Sequence, residues 1–171
     1  MIIIRPEQEA DFDAVRQVNT LAFGQPGEAT LVDALRKSAE PFISLVAVDD
    51  NQVVGHILFT PVSLESDDST STALGLGLAP MAVLPEYQRQ GVGSELVRAG
   101  LRECQRIGAN VVVVLGHPEY YPRFGFVPAS QKGLTSEYPV PDEVFMAIEL
   151  EPGALQGRRG LVKYRPEFAE V

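Results

Sequence analysis

Met81-Ala82-Val83-Leu84-Pro85-Glu86-Tyr87-Gln88-Arg89-Gln90-Gly91-Val92-Gly93-Ser94 is the stretch on which the reading of this chain turns. An apolar run ends at Val83, a glycine-bearing turn follows, and from Ser94 to Ile107 the apolar positions recur at helical spacing. Strand, glycine turn and helix N-terminus in that order make an anion cradle, because the first helical N–H groups lack internal acceptors and point along the positive end of the helix dipole. At Gly91 and Gly93 a Cβ would hold a phosphate away from those groups, so glycine permits the close approach. Such a cradle fits a diphosphate, with Gln88, Arg89, Gln90, Gly91, Val92, Gly93 and Ser94 around it and Arg89 placed to clasp a phosphate. Glycines in strand-to-helix turns also serve purely steric needs, so the surroundings decide. Two other phosphate motifs are excluded. Leu96 stands where a dinucleotide-binding G-x-G-x-x-G needs its third glycine, and no Lys follows either glycine as a P-loop requires.

The segment resembles the acyl-CoA-binding motif of the GNAT superfamily of N-acyltransferases, Q/R-x-x-G-x-G/A, with Gln88, Gly91 and Gly93 in its fixed positions. Downstream, Tyr120-Tyr121-Pro122-Arg123-Phe124-Gly125-Phe126 is similar to that family's F-Y-x-x-x-G-F signature. The motifs stand in the family's order, and the resemblance extends over about residues 2 to 150. It implies acetyl-CoA as co-substrate and no metal. It further implies that main-chain groups at Met81, Ala82 and Val83 hold the pantetheine amides and polarise the thioester carbonyl, and that Tyr121 protonates the departing CoA thiolate. The implied activity is transfer of an acetyl group from acetyl-CoA to a primary amine by direct attack in a ternary complex. The alternative is a regulatory module that binds CoA or acyl-CoA without catalysis.

Composition sets the frame. The length of 171 residues implies one domain, residues 1–171, with 153–171 as a C-terminal extension docked on it. With 45% hydrophobic and 22% charged residues the chain reads as globular. No apolar run approaches a membrane span, and Met1-Ile2-Ile3-Ile4, cut short by Arg5-Pro6, reads as a first strand and not a signal peptide. The lone Cys104 excludes an internal disulfide and, beside Leu101 and Ile107, reads as a small buried hydrophobe, which argues against a covalent cysteine intermediate. These features point to a cytoplasmic protein. A net charge of −9 disfavours nucleic acid as a partner, since phosphate backbones need a clustered basic surface. The acidity either serves solubility or steers cationic amines inward.

The expected elements are a strand at Ile2–Arg5, a helix with Phe12, Val15, Val18 and Ala22 on one face, a second helix from Glu28 to Ser38, and a hairpin of Phe42–Val48 with Gln52–Val62. A strand over Thr72–Val83 contains Pro80, which cannot donate to a ladder and so implies a bulge or an edge. The glycine-led helix follows, then Val111–Leu115, whose four valines and a leucine suggest a strand buried on both faces. A short helix at Pro118–Arg123, a strand beginning at Gly125–Val127 and a last strand at Val144–Leu150 complete the order. This is an α/β (α+β) arrangement, and by the family resemblance a mixed, twisted, mostly antiparallel sheet with helices on both sides. Its strands at Thr72–Val83 and Val111–Leu115 then diverge to admit acyl-CoA, with Gly116-His117 at the mouth.

An attacking alkylamine arrives mostly protonated, so a base must take its proton. Glu28, at the start of the second helix, is the first candidate, and it also suits the helix dipole there. His56 and His117 have suitable intrinsic pKa values. The loop Glu137-Tyr138-Pro139-Val140-Pro141-Asp142-Glu143 lies where the family builds acceptor specificity, and its acids suit a cationic acceptor. Leu161, Val162, Tyr164 and Phe168 make the tail too apolar for a disordered extension. It either docks near the acceptor side or forms a dimer contact.

Overall fold

The β-rich runs of the first half pair as a meander. In the computed structural model, which describes residues 1–170, β1 (Ile2–Pro6), β2 (Ile43–Asp49), β3 (Gln52–Glu65) and β4 (Ser71–Val83) lie side by side and antiparallel. Asp50 and Asn51 join β2 to β3 with positive φ values of 50° and 67°, a conformation that Asp and Asn tolerate and a two-residue hairpin turn demands. Helices α1 (Phe12–Phe23) and α2 (Gly27–Ser38) link β1 to β2, and α3 (Val92–Arg106) follows β4. Strand alternation assigns the helices to faces. Gly55 lies under Val92 and Leu96 of α3, whereas its neighbour His56 turns the other way, to Asn19 of α1.

The second half adds β5 (Val111–Leu115), β6 (Val127–Pro128) and β8 (Phe145–Glu149), in the order β1-β2-β3-β4-β5-β8-β6. All four valines of β5 are at most 1% exposed, as a strand covered on both faces requires. The joint between the halves is short. β4 and β5 run parallel but pair only at Leu76 with Val112 and Gly77 with Val113. Beyond Gly77, β4 stays with β3 to Val83 and β5 stays with β8 to Leu115, so the sheet splays. Pro80 lies on the splayed part. Leu78 faces Phe59 and Met81 faces Ile57, leaving Ala79 and Pro80 opposite the single Leu58, a bulge of the kind a residue without N–H enforces.

Three elements differ from the sequence reading, the first of them strand β7 (Leu134–Ser136), which lies before the expected last strand. The short helix expected at Pro118–Arg123 is a 3-10 turn at Tyr121–Phe124, stopped by Gly125 at φ 104°. The strand expected to be last is followed by β9 (Gly160–Lys163), antiparallel to β3 at Ser63–Glu65 and parallel to β7 (Leu134–Ser136). A four-residue strand has no period of its own to reveal it, and its partners lie far off in sequence. Val162 of β9, with Leu64, Leu74, Val113, Leu134 and Phe145, forms a second apolar core separate from the one under the helices. Among the described residues no helix is long and apolar enough to cross a membrane.

Candidate active site

The splay leaves a cleft of about 740 Å³ between β4 and β5. The free edge of β4 forms one wall. Leu84 N–H donates to Val54 O at 2.9 Å, and alternation along an antiparallel strand then turns the main chain of Ala82 toward β3 and that of Met81 and Val83 toward the cleft. Val83 O accepts from the Gln88 side chain at 2.9 Å. Met81 and Val83 line the cleft; Ala82, 3% exposed, does not. Of the three main-chain positions expected there, Ala82 is the one turned into the sheet.

At the end of that wall the chain enters the glycine turn. Arg89 and Gly91 take positive φ, 63° and 88°, and Gly91 caps α3 in the left-handed conformation that a Cβ disfavours. Among the described residues, the backbone N–H groups of Arg89, Gln90, Gly91, Val92, Gly93 and Ser94 find no well-formed protein acceptor, although Glu95 N–H already bonds back to Gly91 O at 3.0 Å. Successive N–H groups without acceptors at a helix start are a site for an anion. The side chains divide their work. Gln90 closes the turn onto Glu86 O at 3.0 Å and Val92 packs into the core, so each contributes main chain. Gln88, Arg89, Gly91, Gly93 and Ser94 line a surface depression of about 300 Å³. Two residues not singled out for binding join them. The Tyr120 hydroxyl lies 2.9 Å from Ser94 Oγ, and the Arg123 guanidinium sits 4.6 Å from the Tyr120 ring centroid, placing a second cation beside the cradle. Their proximity to Gly93 arises from the 3-10 turn folding back on α3, which motif spacing does not encode.

Tyr121 faces the cleft from the opposite wall and is 6% exposed. Burial pushes its phenol above the usual tyrosine value, so it keeps its proton at neutral pH. Its ring lies against the backbone at Gly116, where a Cβ would come within 2.3 Å of it; that glycine is the sequence signal for the ring's position. Glu28 and His117 line the same cleft, Glu28 half-buried with Gln25 donating to it at 3.2 Å.

His56 is not available as a base. It is wholly buried, with Nδ1 accepting from Asn19 Nδ2 at 3.1 Å and Nε2 donating to Ser44 Oγ at 2.8 Å. Asn19 Nδ2 also donates to Val15 O at 3.0 Å, which fixes the amide's orientation. A proton on Nδ1 would therefore face a donor, and burial together with the Arg36 charge lowers the pKa to about 3. Cys104 is buried too, its thiol pushed up to about 12 by burial.

The cleft is also lined by Phe23, Leu31, Tyr138, Val140, Tyr164 and Phe168. The acids of the 137–143 loop are not among its lining residues. Glu137 accepts from Tyr164 N–H at 3.2 Å and pairs with Lys163 at 3.9 Å, and Asp142 accepts from Ser130 at 2.9 Å. The sequence expectation that these acids serve a cationic acceptor is corrected accordingly. Among the described residues no group of three His, Cys, Asp or Glu side chains comes together as a metal site.

A free-edged strand leading to a row of N–H groups without well-formed acceptors places main-chain hydrogen-bonding groups and an anion site side by side. The family model for the acetyltransferase (GNAT) domain matches residues 3–129. The chain is 41% identical over 158 residues to an N-acetyltransferase of Escherichia coli K12 named YjhQ, covering 87% of this chain and 86% of that protein. It is 35% identical over 168 residues to a second, YhbS of the same strain, covering 98% of each. Both carry names marking them as uncharacterized. The crystal structure of YhbS in complex with CoA superposes with a TM-score of 0.90 at 34% identity, covering 98% of this chain and 92% of that one. A GNAT family acetyltransferase from Brucella melitensis in complex with acetyl-CoA gives 0.80 at 34% identity, covering 98% of both chains. The chain belongs to the GNAT family and is an acetyltransferase.

Proposed function

We propose that this protein transfers an acetyl group from acetyl-CoA to a primary amine by direct attack within a ternary complex. The observation that carries this reading is the continuity of one path: the row of N–H groups without well-formed acceptors at Arg89–Ser94 opens onto the bare edge of β4, which leads to Tyr121 and Glu28 in one cleft. The cradle takes the diphosphate, with Arg89 and Arg123 flanking it. Met81 and Val83 supply main-chain groups to the pantetheine arm and to the thioester oxygen, where hydrogen bonds strengthen as negative charge develops. The amine nitrogen forms a bond to the carbonyl carbon, the C–S bond breaks, and the sulfur leaves as thiolate. Tyr121 protonates it. Between a phenol of pKa about 10 and a thiol of about 8.5 this transfer is uphill by roughly 2 kcal/mol in water; burial raises the Tyr121 phenol further, so the transfer relies on the thiolate being desolvated beside it, which raises the thiol's value too. Glu28, directly or through a water, receives the proton that the amine sheds. Cytoplasm, where acetyl-CoA is formed and used, suits this activity.

The test is in two parts. Calorimetry should detect CoA binding to the protein, and thiol release from acetyl-CoA should accelerate when primary amines are added. Binding without amine-stimulated release would reduce the protein to a CoA-binding module, and absence of binding would remove the reading entirely.

A further inference from the structure

The acceptor end of the cleft has a chemistry of its own, and the inference drawn from it rests on the acetyl-transfer reading. Tyr138, Tyr164 and Phe168 form a continuous aromatic run, with ring centroids 5.8 Å and 5.3 Å apart. Phe23 and Val140 stand at the mouth, 40% and 37% exposed, among the few large apolar side chains the surface leaves open. Bare apolar surface gathered at the rim of a cleft marks a place where a ligand's own apolar surface is received.

Charge there is sparse. Among the described residues Glu28 is the single carboxylate lining the cleft. Three nearby acids are held by other partners: Glu137 and Asp142 as described, and Glu167 accepting from Ser38 at 2.5 Å and from Arg165 at 3.2 Å. A polycation entering this space meets one counter-charge and a hydrocarbon wall, so its remaining ammonium groups lose water and gain no partner. One ammonium set toward Glu28 with an aromatic body along the ring run satisfies both parts of the lining, and the ring faces add cation–π attraction.

We propose that the acceptor is a small monoamine of the arylalkylamine type, one ammonium joined by a short chain to an aromatic body. The experiment uses the protein saturated with CoA, into which 4-phenylbutylamine, spermidine and kanamycin are titrated by calorimetry, with acetyl transfer to each followed in parallel by thiol release. 4-Phenylbutylamine should bind at least about tenfold more tightly than the two polycations. Phe23→Ser, at an exposed position outside the core, should weaken its binding roughly threefold to tenfold, and Glu28→Gln should weaken it as well. Equal or tighter binding of spermidine or kanamycin overturns the proposal, as does failure of 4-phenylbutylamine to bind. Binding of 4-phenylbutylamine without acetyl transfer instead overturns the acetyl-transfer reading and leaves the acceptor class standing. Transfer to spermidine in preference to 4-phenylbutylamine does the reverse.

Discussion

The cradle occupies one run of chain, Gln88 to Ser94, and presents main-chain N–H groups. The acceptor end gathers Phe23 and Glu28 from the α1–α2 junction, Tyr138 and Val140 from the loop before β8, and Tyr164 and Phe168 from the tail, and presents side chains. A main-chain site restricts sequence only where a Cβ or an unusual φ intrudes, so it leaves a local signature of spaced glycines. A side-chain site drawn from three distant segments leaves none. The same contrast says which end is free to vary, since residues at the acceptor end can change their shape or charge without touching the N–H row.

That contrast can be broken at several points. The largest effect is expected from Gly91→Glu, which places a carboxylate at the diphosphate position and forces a Cβ into φ 88°; CoA affinity should fall about a thousandfold by calorimetry. Gly91→Asn, which tolerates that φ and adds no charge, should retain much more. Undiminished affinity in the glutamate variant would show that the cradle is not where the diphosphate sits. Tyr121→Phe addresses the meeting point of the two ends. Its kcat should fall about a hundredfold while CoA affinity changes little, the pattern of a lost general acid. Native turnover would leave the ring as packing alone, and a matching loss of CoA affinity would assign it to the carrier's end.

A smaller effect distinguishes the two ends by pH. Hydrogen bonds from Ser38 and Arg165 hold the Glu167 carboxyl down to about 2. A lowered carboxylate contributes stability that is fully present above its unfolded value of about 4.3 and is lost as pH falls through the folded value. Between those limits the amides of residues 160–168 should gain hydrogen exchange before those of α3 do, and Glu167→Gln should remove the step. Because the group is near the surface, the whole contribution is below about 1 kcal/mol. The smallest change is expected from Tyr164→Phe. Among the described residues the Tyr164 hydroxyl is buried without a partner, so its removal should leave the melting temperature unchanged or slightly raised. A clear loss of acceptor affinity in that variant would instead make the hydroxyl part of the binding surface.

The legible parts of the chain were those with a period or a steric rule. Helix α3, the valine run of β5 and the bulge at Pro80 follow from apolar spacing, from burial on two faces and from a missing N–H. Strand β9 escaped because four residues carry no period and their partners, β3 and β7, are set by the closing of the second core. His56 and the acids of the 137–143 loop misled for one reason: residue type announces an intrinsic pKa, whereas partners decide whether the group is free. Adjacent tyrosines make the point again. Tyr120 reaches Ser94 at the cradle and Tyr121 turns to the cleft, a difference fixed by the 3-10 turn and invisible in the pair of letters.

The tail also bears on how the enzyme moves. β9 joins β3, on one side of the two-position seam between β4 and β5, to β7, and the 3-10 turn Ala129–Lys132 that leads into β7 packs on β8, on the other side. Gly160 N–H bonds to Gly133 O at 3.0 Å, and Arg158 ties the tail to Ala73 O of β4 at 2.8 Å. These contacts brace the closed end of the splay as a cross-tie braces a pair of rafters. Widening the cleft by rotating the two half-sheets would tear β9 from one neighbour or the other, so these contacts oppose a change in the angle between them. The remaining walls of the cleft, the turn between α1 and α2 and the loop at 137–144, carry no such brace across the seam, so a change of cleft shape costs least there.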